Sequence, residues 1–367
     1  VKFMTAGRVV LIALIAGACL PPVEASGRRP LFDLRAKAGP VLHVAFSPDG
    51  RQVAAAYGDD RIRIWDLASR DVVREIAVRR AATDDRMAAA GRGGRIEGLA
   101  YSSNGRLLAE AFGLGTTAGV LRLWDPATGE RIKVLAEGLG NLRCVAFSPD
   151  GGLIATNMPD RERGGHMIAL RKAATGEVVS QLRGERLAVS AVAFRPDGQQ
   201  LVSAGGARAH LWDLGASRLV RTLEGHKDAI QGVAFSPDGQ TIATGGADDR
   251  IFLWKVEDGS RLREIEARSD TVTGLVFTPS SRSIATGGSD GSVRIWSVPT
   301  GRLREGLFWH RGRVTSLAIS PDGRRLASGS RDESIAIWEV VEPAEEPAAP
   351  EEEGKSGPRE PGGRGFP

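Results

Sequence analysis

"IQGVAFSPDGQTIATGGADDRIFLW", residues 230–254, decides the fold. Its opening alternates apolar and polar residues as a half-buried strand does. "SPDG" (236–239) then puts Pro at the second turn position and Gly where a positive φ is needed, which makes a tight hairpin. "TIATGG" and "RIFLW" supply second and third strands, and "RLREIEA" (261–267) alternates as a fourth. Four short antiparallel strands cannot bury both faces alone, so this unit needs copies of itself to stack on.

The copies are in the chain. "VAFSPDG" (44–50) recurs as "LAYSSNG" (99–105), "VAFSPDG" (145–151), "VAFRPDG" (192–198), "VAFSPDG" (233–239), "LVFTPSS" (275–281) and "LAISPDG" (317–323). Their aromatic or Ile positions are 46, 101, 147, 194, 235, 277 and 319, and the last four are 41, 42 and 42 residues apart. A second landmark follows each, at Trp65, Trp124, Leu170, Trp212, Trp254, Trp296 and Trp338. This pattern resembles the WD40 repeat at that family's period. The dipeptide itself stands at Trp65-Asp66, Trp124-Asp125 and Trp212-Asp213. The reading is an all-β chain: one seven-bladed β-propeller of four-stranded antiparallel blades.

"SIAIWEVVEPAEEP" (334–347) raises a difficulty, because no fourth strand follows Trp338. Elsewhere an apolar residue stands eleven after the landmark: Ile76, Leu135, Leu223, Ile265 and Leu307, with Leu182 twelve after Leu170. Most of these also stand twelve before the next unit's aromatic position, and Leu34 stands twelve before Phe46. "LFDLR" (31–35) is therefore expected to pair with 334–340 and close the ring, as WD40 propellers commonly do. The propeller is assigned to 26–340, with blades at about 41–78, 96–136, 142–183, 189–223, 229–266, 271–308 and 314–340. Residues 341–367, rich in Pro, Glu and Gly, read as a disordered tail.

Residues 1–25 read as an export signal: Lys2 and Arg8, then the apolar run 9–20, then "PPVEASG" with a cleavage pattern before Ser26. Twelve apolar residues fall short of the ~20 that span a bilayer. "AGAC" (16–19) offers Cys19 as an alternative lipidated residue. The chain is expected to be periplasmic, envelope-bound or secreted. Its formal charge is +4, with −4 on the tail and +7 on the body, and it has no polybasic tract, so nucleic acid is not the expected partner. With Cys19 and Cys144 the only cysteines, the core must hold without an intramolecular disulfide if the leader is removed.

The resemblance implies a hydrogen-bonded tetrad in two units: His226, Thr244, Asp248 and Trp254, and again His310, Ser328, Asp332 and Trp338. The same residue types make a nucleophilic triad, but recurrence beside a core Trp points to a structural relay, since an unsatisfied buried polar group costs ~1–3 kcal/mol. Unit six keeps Thr286 and Asp290 without the His, unit four lacks the turn Asp, and unit one keeps Asp59 without His or hydroxyl. No His/Cys ligand spacing and no phosphate-binding loop stand out, so neither metal nor cofactor is expected. His43 falls on the strand that would line the channel.

Function is sought where the period breaks. Extra residues fall in 79–95, 112–119 and 156–166, all on connections expected to emerge on the tetrad face. Loops tolerate drift; a binding surface on a rigid scaffold is the alternative. The candidate partner-binding residues are Arg79, Arg80, Arg92, Arg161, Arg163, His166, Phe308 and Trp309, the last as a rim anchor or a cover for the neighbouring blade. The expected function is a non-catalytic, monomeric scaffold for a protein or peptide. A hydrolase-like site at the channel mouth is the alternative, though no converging catalytic set supports it.

Overall fold

A computed structural model of the chain describes residues 28–78, 94–114 and 118–342. The leader, Cys19, Arg79, Arg80, Arg92 and the stretch 343–367 lie outside the described residues. Within them the chain is all strand: seven four-stranded antiparallel sheets, each following chain order except the last. Blade five shows the pattern, with strands Ile230–Phe235, Thr241–Gly246, Arg250–Lys255 and Arg261–Glu266. Val233 faces Thr244, Thr244 faces Phe252, and Phe252 faces Glu264 across the ladder.

The "SPDG" turns hold each hairpin for local reasons. Gly239 sits at φ +70° and donates its N–H to Ser236 O at 2.8 Å. The Ser236 hydroxyl donates to Asp238 at 2.5 Å and accepts the Thr241 N–H at 2.9 Å. In blade six Ser281 occupies the glycine position at φ +61°, a conformation that costs a residue with a Cβ.

Seven separate cores lie between neighbouring blades rather than within them. Between blades five and six, for instance, Ile251, Leu253 and Ile265 pack on Val272, Phe277 and Trp296. Each sheet thus buries both faces only because the ring closes. Closure comes from the chain's first described strand, Phe32–Arg35, which pairs with the third strand of blade seven: Phe32 faces Ile337 and Leu34 faces Ile335. Leu34, 2% exposed, then joins Ile335, Ile337, Val41 and Trp65 in the core between blades seven and one. Arg28 adds an ion pair to Glu305 at 3.3 Å and one to Glu339 at 3.0 Å.

Two expected loops are hairpin extensions instead. In blade two, Leu108–Leu114 pairs with Ala118–Trp124 out to Leu114 opposite Ala118. Four extra residues, two per strand, preserve the in–out alternation, so the ladder lengthens. In blade three the pairing runs out to Pro159 opposite His166, before a turn at 160–165.

The register of blade three also corrects its landmark. Ile154 faces Arg171 where blade five has Ile242 facing Trp254, and Leu170 points the other way, into the core toward blade four. Arg171, not Leu170, therefore takes the tryptophan's place. Leu182 stands eleven after Arg171, in step with the five other blades that carry their own fourth strand.

Candidate functional site

The innermost strand of every blade starts on one face and ends at the "SPDG" turn on the other. The starting face carries the turns between second and third strands and the connections from one blade to the next. On it lie the two polar sets. In blade five the Trp254 indole N–H donates to Thr244 Oγ1 at 3.0 Å, and Thr244 is 2.8 Å from His226 Nε2. His226 Nδ1 reaches Asp248 at 2.9 Å, and Asp248 also accepts the Lys227 N–H at 2.9 Å. One assignment satisfies every atom: indole to hydroxyl, hydroxyl to imidazole, imidazole to carboxylate.

Blade seven repeats this through Trp338, Ser328, His310 and Asp332, with spacings of 2.8, 2.7 and 3.2 Å. Burial alone would raise the Asp332 carboxyl, but hydrogen bonds from His310, Ser334 and the Arg311 N–H hold it well below the usual carboxylate range. The same balance, with the Lys227 N–H and His226 as the main donors, lowers Asp248. Thr244 and Ser328 are fully buried under their indoles. They anchor the loops that bear His226 and His310.

Four other blades solve the same problem differently. Unit one has a hydroxyl after all: Tyr57, which accepts the Trp65 N–H at 3.0 Å, while Arg63 donates to Asp59 at 2.7 Å. In blade two the wholly buried Glu110 accepts from Trp124 at 3.4 Å and from Arg122 at 3.3 Å. In blade four Ser203 accepts from Trp212 at 2.8 Å and donates to Glu185, with His210 Nδ1 2.9 Å from the other carboxylate oxygen. Glu185 arrives from the outer strand of blade three and stands in for the missing turn Asp. In blade six Thr286 accepts from Trp296 at 2.9 Å, and Arg294 donates to Asp290 at 3.0 Å.

A rule missed at the sequence level joins these cases. The position two before the Trp is Arg63, Arg122, His210 or Arg294 where the incoming His is missing. Where His226 and His310 are present it is Phe252 or Ala336. The carboxylate receives a nitrogen donor from the loop in blades five and seven and from the third strand in blades one, two and six, while in blade four His210 only approaches Glu185. Blade three, with Arg171 for Trp, breaks the rule, and its buried Thr156 hydroxyl has no partner.

Of the candidate binding residues, Arg161 reaches Gly138 O at 3.1 Å, tying the blade-three turn to the blade-two connection. Arg163 is exposed in that turn, and His166 is half-buried on the strand facing Glu185. Trp309 is half-buried against the core between blades six and seven, so it covers a neighbouring blade and is not a free rim anchor. Phe308 is the exposed aromatic, 50% accessible, with the Arg294 guanidinium 5.4 Å from its ring centre.

The channel supplies a feature that these candidates omit. A cavity of about 360 Å³ opens on the tetrad face, lined by side chains from all seven blades. Four residues before each aromatic landmark stand Leu42, Glu97, Arg143, Ser190, Gln231, Thr273 and Thr315, one per blade, all on its wall. Arg95, Arg313 and Arg331 add to them. His43 lies here too; burial, then the Arg95 charge, lowers its pKa to about 4, so it is neutral at pH 7. Among the described residues, no three His, Cys, Asp or Glu side chains are placed to hold a metal ion. Cys144 is buried at blade three, and burial pushes its thiol up to about 12.

Seven blades and a recurring indole with its relay mark the family. The chain is a WD40-repeat propeller. The family model of the WD domain, G-beta repeat, matches residues 28–66, and that of the IFT122 first beta-propeller matches 188–339. The WD repeat-containing protein sll1491 of Synechocystis sp. is 28% identical over 146 residues, 32% of this chain and 41% of that protein. Transcription initiation factor TFIID subunit 5 of Caenorhabditis elegans is 25% identical over 182 residues, 49% and 24% of the two chains. WD repeat and SOCS box-containing protein 1 of Xenopus tropicalis is 32% identical over 101 residues, 27% and 23%. The WD40 propeller thus spans less than half the length of each of these relatives.

Proposed function

We propose that this propeller is a non-catalytic, monomeric scaffold that holds a protein or peptide partner on the tetrad face. WD-repeat proteins are typically interaction scaffolds, and one matched relative is by name a subunit of a larger assembly. The observation that carries the reading is the channel mouth. It is walled by one side chain from each blade and opens on the tetrad face, where the extended hairpins of blades two and three also end. The His–Asp–hydroxyl sets are spent on the scaffold, because each hydroxyl lies buried beneath its indole. Fold alone does not assign function; an exposed, polar, rigidly framed mouth favours docking over chemistry. The charged and apolar pattern of 1–25 favours a place in the cell envelope or beyond it.

The test compares capture from native cell extract by the wild type and two folded variants, one lacking 79–93 and one carrying Phe308→Ala. The reading expects the same partner bands to weaken in both. Unchanged capture by both variants, with wild-type melting temperatures, would contradict it. N-terminal sequencing of the mature chain tests export: a start at Ser26 supports it, and an intact Val1 on cytoplasmic protein opposes it.

A further inference from the structure

The mouth is electrically lopsided. Among the described residues, four guanidinium groups, Arg95, Arg143, Arg313 and Arg331, line it against a single carboxylate, that of Glu97, which already pairs with Arg95 at 2.6 Å. Among the described residues, Arg143, Arg313 and Arg331 have no carboxylate partner. Arg313 is half-buried, and burial together with the Arg331 charge lowers its pKa. Like charges held together without a counter-charge store repulsion that an incoming anion relieves. Guanidinium forks also suit the geometry of carboxylate and phosphate oxygens.

Toward blades four to six the wall carries no charge and offers lone pairs, with Thr315 of blade seven standing at its border beside Arg313. Ser190 donates its hydroxyl proton to Ile230 O at 2.6 Å, Thr273 to Gly287 O at 3.0 Å, and Thr315 to Val41 O at 2.8 Å. These hydroxyls are committed as donors, so what remains is their capacity to accept. A ligand that fits both sides carries oxygen anions at one edge and N–H groups at the other. A bare anion satisfies only the arginines, and a polyanionic chain without N–H donors leaves the neighbouring lone pairs unmet.

We infer that the channel mouth takes an acidic peptide segment, its carboxylate side chains on Arg143, Arg313 and Arg331 and its amide groups toward Ser190, Thr273 and Thr315. The inference rests on the tetrad face being the docking surface and adds the chemistry of what docks. The occupant is a segment of another chain. The last strand in chain order, Ser334–Glu339, ends on the face opposite the mouth.

The experiment measures fluorescence anisotropy of labelled twelve-residue peptides with the full-length protein at low salt. The probes are a Glu-rich peptide, its Gln-substituted twin and a version with phosphoserine in place of the Glu residues. Inorganic phosphate serves as a free competitor. The protein variants are Arg143→Glu/Arg313→Glu/Arg331→Glu at the mouth and, as a charge-matched control on the opposite turns, Arg51→Glu/Arg106→Glu/Arg324→Glu. A milder Arg143→Gln/Arg331→Gln pair covers the case in which the triple reversal fails to fold.

The Glu-rich peptide is expected to bind at least tenfold more tightly than its Gln twin. The mouth triple should cost at least tenfold and the Gln pair several-fold, while the control triple leaves binding within twofold. Millimolar phosphate should displace little of the peptide. Equal loss in the mouth and control triples, or equal binding of the Glu and Gln peptides, overturns the inference. So does binding by the phosphoserine peptide alone, or full displacement by phosphate, each of which makes the mouth a phosphate site. If mouth variants still capture the native partner while losses at 79–93 or Phe308 abolish capture, the docking face stands and this inference falls.

Discussion

Blade five and blade three are built on the same register and hold their upper turns by opposite means. Blade five spends Trp254, Thr244, His226 and Asp248 on a closed relay, with nothing left over for a ligand. Blade three has Arg171 in the indole's place and a buried Thr156 hydroxyl with no partner. It compensates with a longer hairpin, Asn157 accepting from the Arg143 N–H at 2.8 Å, and Arg183 bridging Asp160 at 3.3 Å and Glu162 at 2.7 Å. It also projects Arg143 onto the channel wall. A closed relay fixes a blade's upper turn without deciding its charge at the mouth, since blade seven closes its relay and still supplies Arg313 and Arg331.

The largest effect is expected at the seam on which both blades depend. Leu34→Ala removes a buried side chain from the closing core and should cost about 2–5 kcal/mol. Deleting 28–35 should abolish a single cooperative transition by chemical denaturation. A deletion variant as stable as the parent would refute closure by this strand.

Next comes the relay. Thr244→Val removes the acceptor of the Trp254 N–H and the partner of His226 Nε2. Stranding both should cost about 1–3 kcal/mol. The matching change in blade three, Thr156→Val, swaps an unpartnered hydroxyl for a methyl. It should be neutral or stabilise by up to about 1 kcal/mol. Urea midpoints of the two variants check the contrast, and equal losses would erase the distinction between the blades.

A smaller effect is expected from pH. His43 is held neutral down to about pH 4 by burial and the Arg95 charge, with Glu97, Arg143, Arg313 and Arg331 also lining its cavity. The unfolded imidazole takes up its proton near pH 6.5. The unfolded state therefore binds more protons between these values, and stability falls as pH drops from 6.5 to 4. His43→Gln should flatten that slope. Below about pH 4 the lowered Asp248 and Asp332 carboxyls act the same way: their stabilisation is present above the unfolded carboxylate pKa and is lost as acid protonates them.

The blades, the closing strand and both complete relays were legible in the sequence, because each rests on a spacing that recurs. The substitutes were not. Tyr57 lies on the second strand of blade one, closer to the Trp than the usual hydroxyl position. Glu185 comes from the preceding blade, and Arg122 with Glu110 looks in sequence like exposed charge. The cation two before the Trp was the available signal, but it has meaning only once three-dimensional pairing is known. The Arg171 shift did leave a trace in Leu182, one residue out of step with its counterparts. The mouth was hidden for a different reason: Arg95, Arg143, Arg313 and Arg331 are scattered over 237 positions and meet only when the ring closes.

The most direct test of the account asks which face a partner touches. A photo-crosslinking residue is placed at Gln231, in the channel mouth, or at Asp238, on the turn of the same strand at the opposite face. Both proteins are then irradiated in native extract. Docking at the mouth gives a discrete protein adduct from position 231 and none from 238. An adduct from 238 alone would place docking on the wrong face and contradict it.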